Sequence, residues 1–200
     1  MQNTRTLLIA TGNRDKAAEW IALLSGLPWE IRSLADFLTM AAPVEDGATF
    51  EDNALLKARH YCRKFAMPCL ADDSGLVVDA LDGAPGVHSA RYAGEAGNYS
   101  ANNEKLLNAL AGVPDAERSA RFVCCAALAE PDGHNHVEIG TVEGRIALGS
   151  GGRHGFGYDP IFIPDGYQET FGELDPAVKQ RISHRAEAFR KMREYLLSQA

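Results

Sequence analysis

The chain is short of positive charge. Its 20 Lys and Arg stand against 27 Asp and Glu, a formal net charge of −7 over 200 residues. A protein that tracks a long nucleic acid wants a basic face, so extended DNA or RNA is not the expected partner. A small anionic ligand stays open: a few local cations suffice, or a divalent metal between carboxylates and phosphates. Long apolar runs are missing too. Nothing approaches the roughly 18 residues that span a membrane. The N-terminal run "TLLIA" is short for a signal-peptide core, and no small-residue cleavage site follows it. The expectation is a cytoplasmic protein with no membrane partner.

Cysteine is scarce and unpatterned. Cys62, Cys69, Cys124 and Cys125 form no CxxC pair and have no histidine at zinc spacing. Cys124-Cys125 lies in "RFVCCAALA", which reads as a buried strand, so the thiols are taken as small core hydrophobes. There is no GxSxG and no recognisable His-paired cysteine, which argues against covalent catalysis. Repeats, low-complexity tracts and long linkers are also lacking. With 46% apolar and 24% charged residues, residues 1–200 read as a single soluble domain.

What is present alternates. "TLLIA" (6–10) reads as a buried strand, followed by the polar turn "TGNRDK". A helix follows, with Ala17, Trp20, Ile21 and Leu24 at i, i+3, i+4, i+7, ended by Gly26 and Pro28. "TFED" (49–52) has the capping-box pattern of a helix start, and that helix runs to about Phe65. "CLA" reads as a short strand ending at Asp72-Asp73, then "GLVVDAL" and a Gly/Pro-rich loop. A helix is expected around 101–111. Two strands joined by "PDGHN" come next, then a glycine-rich loop with a strand, and a last helix from Ser183 to Leu197. The pattern predicts an α/β fold with a mixed sheet, an elongated two-lobed molecule with a central cleft. Ligands of such sheets bind beyond strand carboxyl ends, where both Thr11–Lys16 and Asp72–Ser74 are expected.

Four constellations carry chemistry. "TGNRDK" runs from a strand into a helix N-terminus, whose N–H groups attract anions; Lys16 adds a point charge, and Thr11 and Asn13 add hydrogen-bonding groups. It is not a Walker A loop, and a plain capped turn is the alternative. Among the carboxylates, Glu45, Asp46, Glu51 and Asp52 precede or open one helix. Magnesium takes one or two carboxylates and leaves its other positions to water and phosphate, and a carboxylate close by can accept a proton from water. Glu51 and Asp52 are read as favouring the helix dipole, Asp73 as functional. Asp72 and Asp73 should point to opposite sides of an extended segment. In "GGRHGFGYDP", Phe156 or Tyr158 could stack on a base, or the stretch is a glycine hinge before a core strand. In "VKQRISHRAEAF", Ser183 is a plausible N-cap, with His184 and Arg185 as cations in a first turn where the dipole opposes them. A solvated face is the alternative.

In this order, "TGNRDK", "EDGATFEDNALLKA" (45–58), "ADDSGLVVDALDGAPGVHSARYAG" (71–94), "GSGGRHGFGYDPIF" (149–162) and "KQRISHRAEA" (179–188) resemble the inosine/xanthosine triphosphate pyrophosphatases. The likeness spans nearly the whole chain; Arg153 and His154, between the glycine pair and "GFGYDP", are a small departure. The resemblance implies an elongated mixed α/β fold with a central cleft, magnesium, a homodimer, and hydrolysis of ITP, dITP and XTP to monophosphate and pyrophosphate. By the same resemblance Thr11, Gly12, Asn13, Arg14, Asp15 and Lys16 hold the triphosphate. Glu45 and Asp73 bind the metal, Asp73 is also the general base, and Ser74 contacts the nucleotide. Phe156, Gly157, Tyr158, Asp159, Lys179, His184 and Arg185 surround the base. Lys57 is a further phosphate candidate, or a solvated helix charge. A cation at the purine 6-position rewards a keto oxygen and penalises an amino group by about 1–3 kcal/mol for a buried unpaired donor. A pyrophosphatase for other modified or standard nucleotides, or a nucleotide-binding module without turnover, remains the alternative.

Overall fold

Three long strands, each spanning ten or more residues, carry the architecture. The computed structural model describes residues 5–37, 42–95 and 97–199, with the side chains of residues 14, 15 and 35 excepted. Its six strands are β1 (Arg5–Ile9), β2 (Trp29–Ser33), β3 (Cys69–Val78), β4 (Ser119–Ala129), β5 (Asn135–Ile146) and β6 (Phe162–Pro164). They lie in one sheet in the order β2-β1-β3-β4-β5-β6. β1 is parallel to both β2 and β3, with Leu7 opposite Ile31 and Ile9 opposite Leu70, whereas β5 and β6 are antiparallel. The sheet is therefore mixed and the fold is α/β, as the alternation of patterns predicts. Among the described residues no helix is long and apolar enough to cross a membrane.

Among the described residues five α-helices accompany the sheet: α1 (Arg14–Leu23), α2 (Phe50–Phe65), α3 (Tyr99–Ala109), α4 (Pro176–Ile182) and α5 (His184–Ser198). The capping box at "TFED" is formed. Asp52 N donates to Thr49 Oγ1 at 3.0 Å and Thr49 N donates to Asp52 Oδ2 at 3.2 Å, so two helix-end donors are satisfied reciprocally. The expected hairpin turn is also present, closed by Glu130 N on His134 O at 2.9 Å.

Two compact units divide the chain. The first gathers Met1–Asp73, Cys124–Gly140 and Arg185–Ala200; the second gathers Ser74–Val123 and Thr141–His184. The first unit has apolar packing on both faces of its strands. Leu7, Ile9, Leu70 and Cys124 pack with Trp20, Phe189 and Met192 from α1 and α5, while Leu8, Ala71 and Cys125 pack with Ala54, Ala58 and Tyr61 from α2. A fully buried side chain of this size contributes about 1.5–3 kcal/mol. The second unit is built around Leu76, Leu106, Phe122, Phe162 and Phe171. There the buried Arg118 donates to the carbonyls of Leu110, Ile146 and Ala147, each at 3.0 Å, tying the end of α3 to the end of β5.

One expectation needs correction. Asp72 and Asp73 do not end a strand: β3 runs unbroken from Cys69 to Val78, and both aspartates are buried in its interior. The physical reason is that cations from other segments neutralise them. β2 and α4 carry no expectation from the sequence pattern, although Asp175 accepts from Ala177 N at 2.8 Å and Pro176 opens the helix. Ser183 closes α4, its N–H donating to Lys179 O, and as a single extended residue directly before α5 it stands at the N-cap position expected for it.

Candidate active site

β3 sends its two aspartates to opposite faces, as the period of an extended chain requires. Asp72 points toward α1 and α5. Lys16 Nζ donates to Asp72 Oδ2 at 3.0 Å, and Arg185 Nε lies 3.8 Å from the same oxygen. Arg185 also donates through Nη1 to Glu19 on α1. Burial pushes the Asp72 carboxyl up, but Lys16, Arg185 and Lys57 together outweigh burial and hold it below its ordinary value. Arg185, though buried, is held above its usual value by Asp72 and Glu19. These carboxylates explain how a cation is tolerated in the first turn of α5, where the helix dipole is unfavourable. Arg185 is neither on a solvated face nor unpaired.

Asp73 points toward α2. Lys57 Nζ donates to Asp73 Oδ1 at 3.0 Å and to Glu45 Oε2 at 2.9 Å. Asn53, one turn before Lys57 on the same helix face, donates from Nδ2 to Asp73 Oδ2 at 3.3 Å. Asn53 is itself held by Gly47 N, which donates to its Oδ1 at 2.8 Å. The loop fits tightly there, since a Cβ on Gly47 would stand 2.6 Å from Asn53 Oδ1. Burial raises the Asp73 carboxyl above its ordinary value; Lys57 and Lys16 oppose the rise and Asp72 adds to it. Asp73 is thus an acid poised nearer to neutral pH, the condition a general base needs. Burial pulls the Lys57 ammonium down, but Asp73, Asp72 and Glu45 more than compensate, and it remains a cation.

The "TGNRDK" segment is a built helix start. Asn13 N donates to Thr11 Oγ1 at 3.2 Å and Lys16 N donates to Asn13 Oδ1 at 3.1 Å. Gly12 is exposed at the tip of the turn. Arg14 and Asp15 form the first turn of α1, and their side chains lie outside the described residues.

The second unit holds its own cluster. Lys179 Nζ donates to Asp159 Oδ2 at 2.6 Å and stands 4.4 Å from the centroid of the Phe156 ring. Asp159 also accepts from Phe156 N at 2.7 Å, so one carboxylate fixes both the aromatic loop and the lysine. A Cβ on Gly155 would collide with that carboxylate, and Gly155 and Gly157 both adopt positive φ, which favours glycine. Gly157 O accepts from Asn103 Nδ2 at 3.0 Å, and Tyr158 Oη donates to Ser89 O at 2.9 Å. The His184 ring stacks on Phe122 with centroids 4.8 Å apart. A groove of about 600 Å³ beside this loop is lined by Tyr99, Asn103, Arg153, His154, Phe156 and Gly157. A cavity of about 540 Å³ in the first unit, between α2 and the β4–β5 turn, contains none of the candidate site residues.

The first unit therefore brings Lys16, Glu45, Asp73 and Arg185 into one network with Asp72 and Lys57. The second brings Phe156, Gly157, Tyr158, Asp159 and Lys179 together. Ser74 follows Asp73 on β3 and belongs to the second unit. Sequence reasoning passed over Glu19, Asn53, Asn103 and Ser89. A signal existed for Asn53, a poor helix former spaced i, i+4 from Lys57; nothing local marks the others.

With the geometry established, comparison with known proteins gives a consistent result. The Ham1 family model matches residues 7–195. The chain is 46% identical over 193 residues to a dITP/XTP pyrophosphatase of Oceanobacillus iheyensis, covering 96% of this chain and 98% of that protein. Among solved structures, it resembles a HAM1 protein from Coxiella burnetii with a TM-score of 0.90 and 40% identity, covering 98% of this chain and 100% of that one. The Staphylococcus aureus Ham1 protein gives a TM-score of 0.89 and 37% identity, with 98% and 100% covered.

Proposed function

The chain belongs to the Ham1 family, and on that premise we propose that it is a nucleoside-triphosphate pyrophosphatase acting on non-standard purine nucleotides. Its substrates are ITP, dITP and XTP, and its products the monophosphate and pyrophosphate. The observation that carries the reading is the Lys57 ammonium gathering Glu45 and Asp73 within 3.0 Å of one point, with Lys16 on the adjacent Asp72.

Asp73 takes a proton from the attacking water as its oxygen bonds to the α-phosphorus, and the bond from that phosphorus to the bridging oxygen of pyrophosphate breaks. Lys16 and Lys57 offset the charge that builds on the phosphate oxygens. The donor set suits magnesium, a hard cation that takes one or two carboxylates alongside phosphate oxygens: Glu45 and Asp73 already converge on a positive charge and would hold it. When bound, such a cation neutralises phosphate charge and polarises the phosphorus. In the second unit, Phe156 offers a ring for stacking, and Lys179 is a cation suited to a 6-keto oxygen. Arg185 is the corresponding candidate in the first unit. Rejection of adenine follows from a donor facing a donor. The same reading takes the protein as a cytoplasmic homodimer with no nucleic-acid partner.

The test is pyrophosphate release from ITP, XTP, dITP and the four ordinary dNTPs, with and without magnesium. Turnover of dATP or dTTP as fast as ITP overturns the specificity. Tight ITP binding without pyrophosphate release overturns the enzyme. Retention on a DNA column at physiological salt reinstates a nucleic-acid partner.

A further inference from the structure

We infer that Lys57 is the free protein's own counter-ion at Glu45 and Asp73, and that it makes cation binding there depend on the nucleotide's phosphates. The inference rests on the cation reading proposed above and adds an exchange to it. The Lys57 Nζ stands 2.9 Å from Glu45 Oε2 and 3.0 Å from Asp73 Oδ1. An ion taking both oxygens must lie between them, where the ammonium now stands. The Lys57, Glu45 and Asp73 side chains are 12%, 35% and 11% exposed, so solvent poorly screens the repulsion between the ammonium and an incoming divalent ion. A divalent ion therefore has to displace the ammonium, and in the free protein the ammonium gives up two carboxylates for water.

A tripolyphosphate tail changes that balance. The lysine stem is flexible and its ammonium is a mobile point charge, so phosphate oxygens can take it over as it leaves the carboxylates. Asn53 stays behind and keeps Asp73 in place, because its amide holds Oδ2 while Lys57 uses Oδ1. Nucleotide and cation then favour each other's binding through one side chain, a coupling that runs equally in both directions. Lys57 at rest prevents the carboxylate pair from holding a cation with nothing to hydrolyse.

The experiment measures Mn²⁺ binding to the free protein by electron paramagnetic resonance, without nucleotide. Lys57→Met keeps most of the stem and removes the charge; it should bind Mn²⁺ about tenfold or more tighter than wild type, within the usual range of coupling. Lys57→Arg keeps the charge and should remain weak. Equal or weaker binding by Lys57→Met overturns the inference alone, with Glu45→Gln still expected to abolish the wild-type signal. No Mn²⁺ binding by any of these proteins overturns the inference, and no Mn²⁺ binding even with a non-hydrolysable ITP analogue added overturns the cation reading beneath it. Should Lys57→Met not fold, reductive methylation of wild type decides. Saturating Mn²⁺ without nucleotide should raise labelling of Lys57, and unchanged labelling with Mn²⁺ bound overturns the exchange.

Discussion

Asp72 and Asp73 are neighbours on β3, and their carboxyls are driven in opposite directions, Asp72 below its ordinary value and Asp73 above it. Both are buried, so burial alone does not divide them. The difference is in the partners: Asp72 has Lys16 and Arg185, whereas Asp73 has Lys57, which Glu45 also claims. Separation of two like acids into an ionised anchor and a proton acceptor is a recurring arrangement in acid–base catalysis.

Removing the acceptor should remove turnover. Asp73→Asn is nearly isosteric and leaves Lys57 paired with Glu45. Pyrophosphate release should fall by about 10²- to 10⁴-fold, the usual contribution of a general base, with the circular dichroism spectrum unchanged. In the wild type, kcat/KM should rise with pH as Asp73 ionises. A variant with near-normal rate excludes Asp73 as the base.

Asp72 should govern acid stability of the metal-free protein. Its folded value lies below its unfolded one, so its ionised form stabilises the native state fully above the unfolded value. That contribution fades as pH falls through the folded value. Asp72→Asn should lose stability near neutrality and show a flatter decline on acidification. Urea unfolding at a series of pH values reads this; parallel curves for the two proteins would count against it.

Lys179 and Asp159 should behave as one unit. Their side chains are only 10% and 2% exposed. Lys179→Met leaves the Asp159 carboxylate buried without its cation and should cost about 3–5 kcal/mol. Adding Asp159→Asn should recover part of the loss, since coupled neighbours are not additive. Denaturant midpoints of the two single variants and the double variant test this, and simple additivity would refute the coupling.

The thiols should be silent. All four cysteines are buried, and burial pushes Cys125 up to about 12 and raises Cys62, Cys69 and Cys124 as well. Reactivity belongs to the thiolate, so a disulfide reagent at neutral pH should label the native protein negligibly and the unfolded protein at four sites. Fast labelling of any one of them in the native state contradicts the packing.

Local signals in the sequence were reliable where local physics decides. The Thr49–Asp52 box marked α2 because its hydrogen bonds lie within four residues, and the turn at 130–134 marked its hairpin for the same reason. The break expected at Asp72 had no such basis. Two charges followed by Ser-Gly look like a turn until Lys16, Lys57 and Arg185 arrive from three other segments. Charge patterning drew attention to Arg185 through its unfavourable place in a first turn. Glu19, which holds it, has an ordinary position on an ordinary helix and could be assigned only from coordinates.

The Trp20 and Phe189 rings lie 4.3 Å apart, although one belongs to the first helix and the other to the last. A ribosome releases the first ring long before the second exists. Until the last helix emerges, then, the opening helix lacks part of the cover for its largest apolar side chain, and the emerging chain is open to aggregation. Deleting the final helix should leave insoluble protein rather than a shortened enzyme.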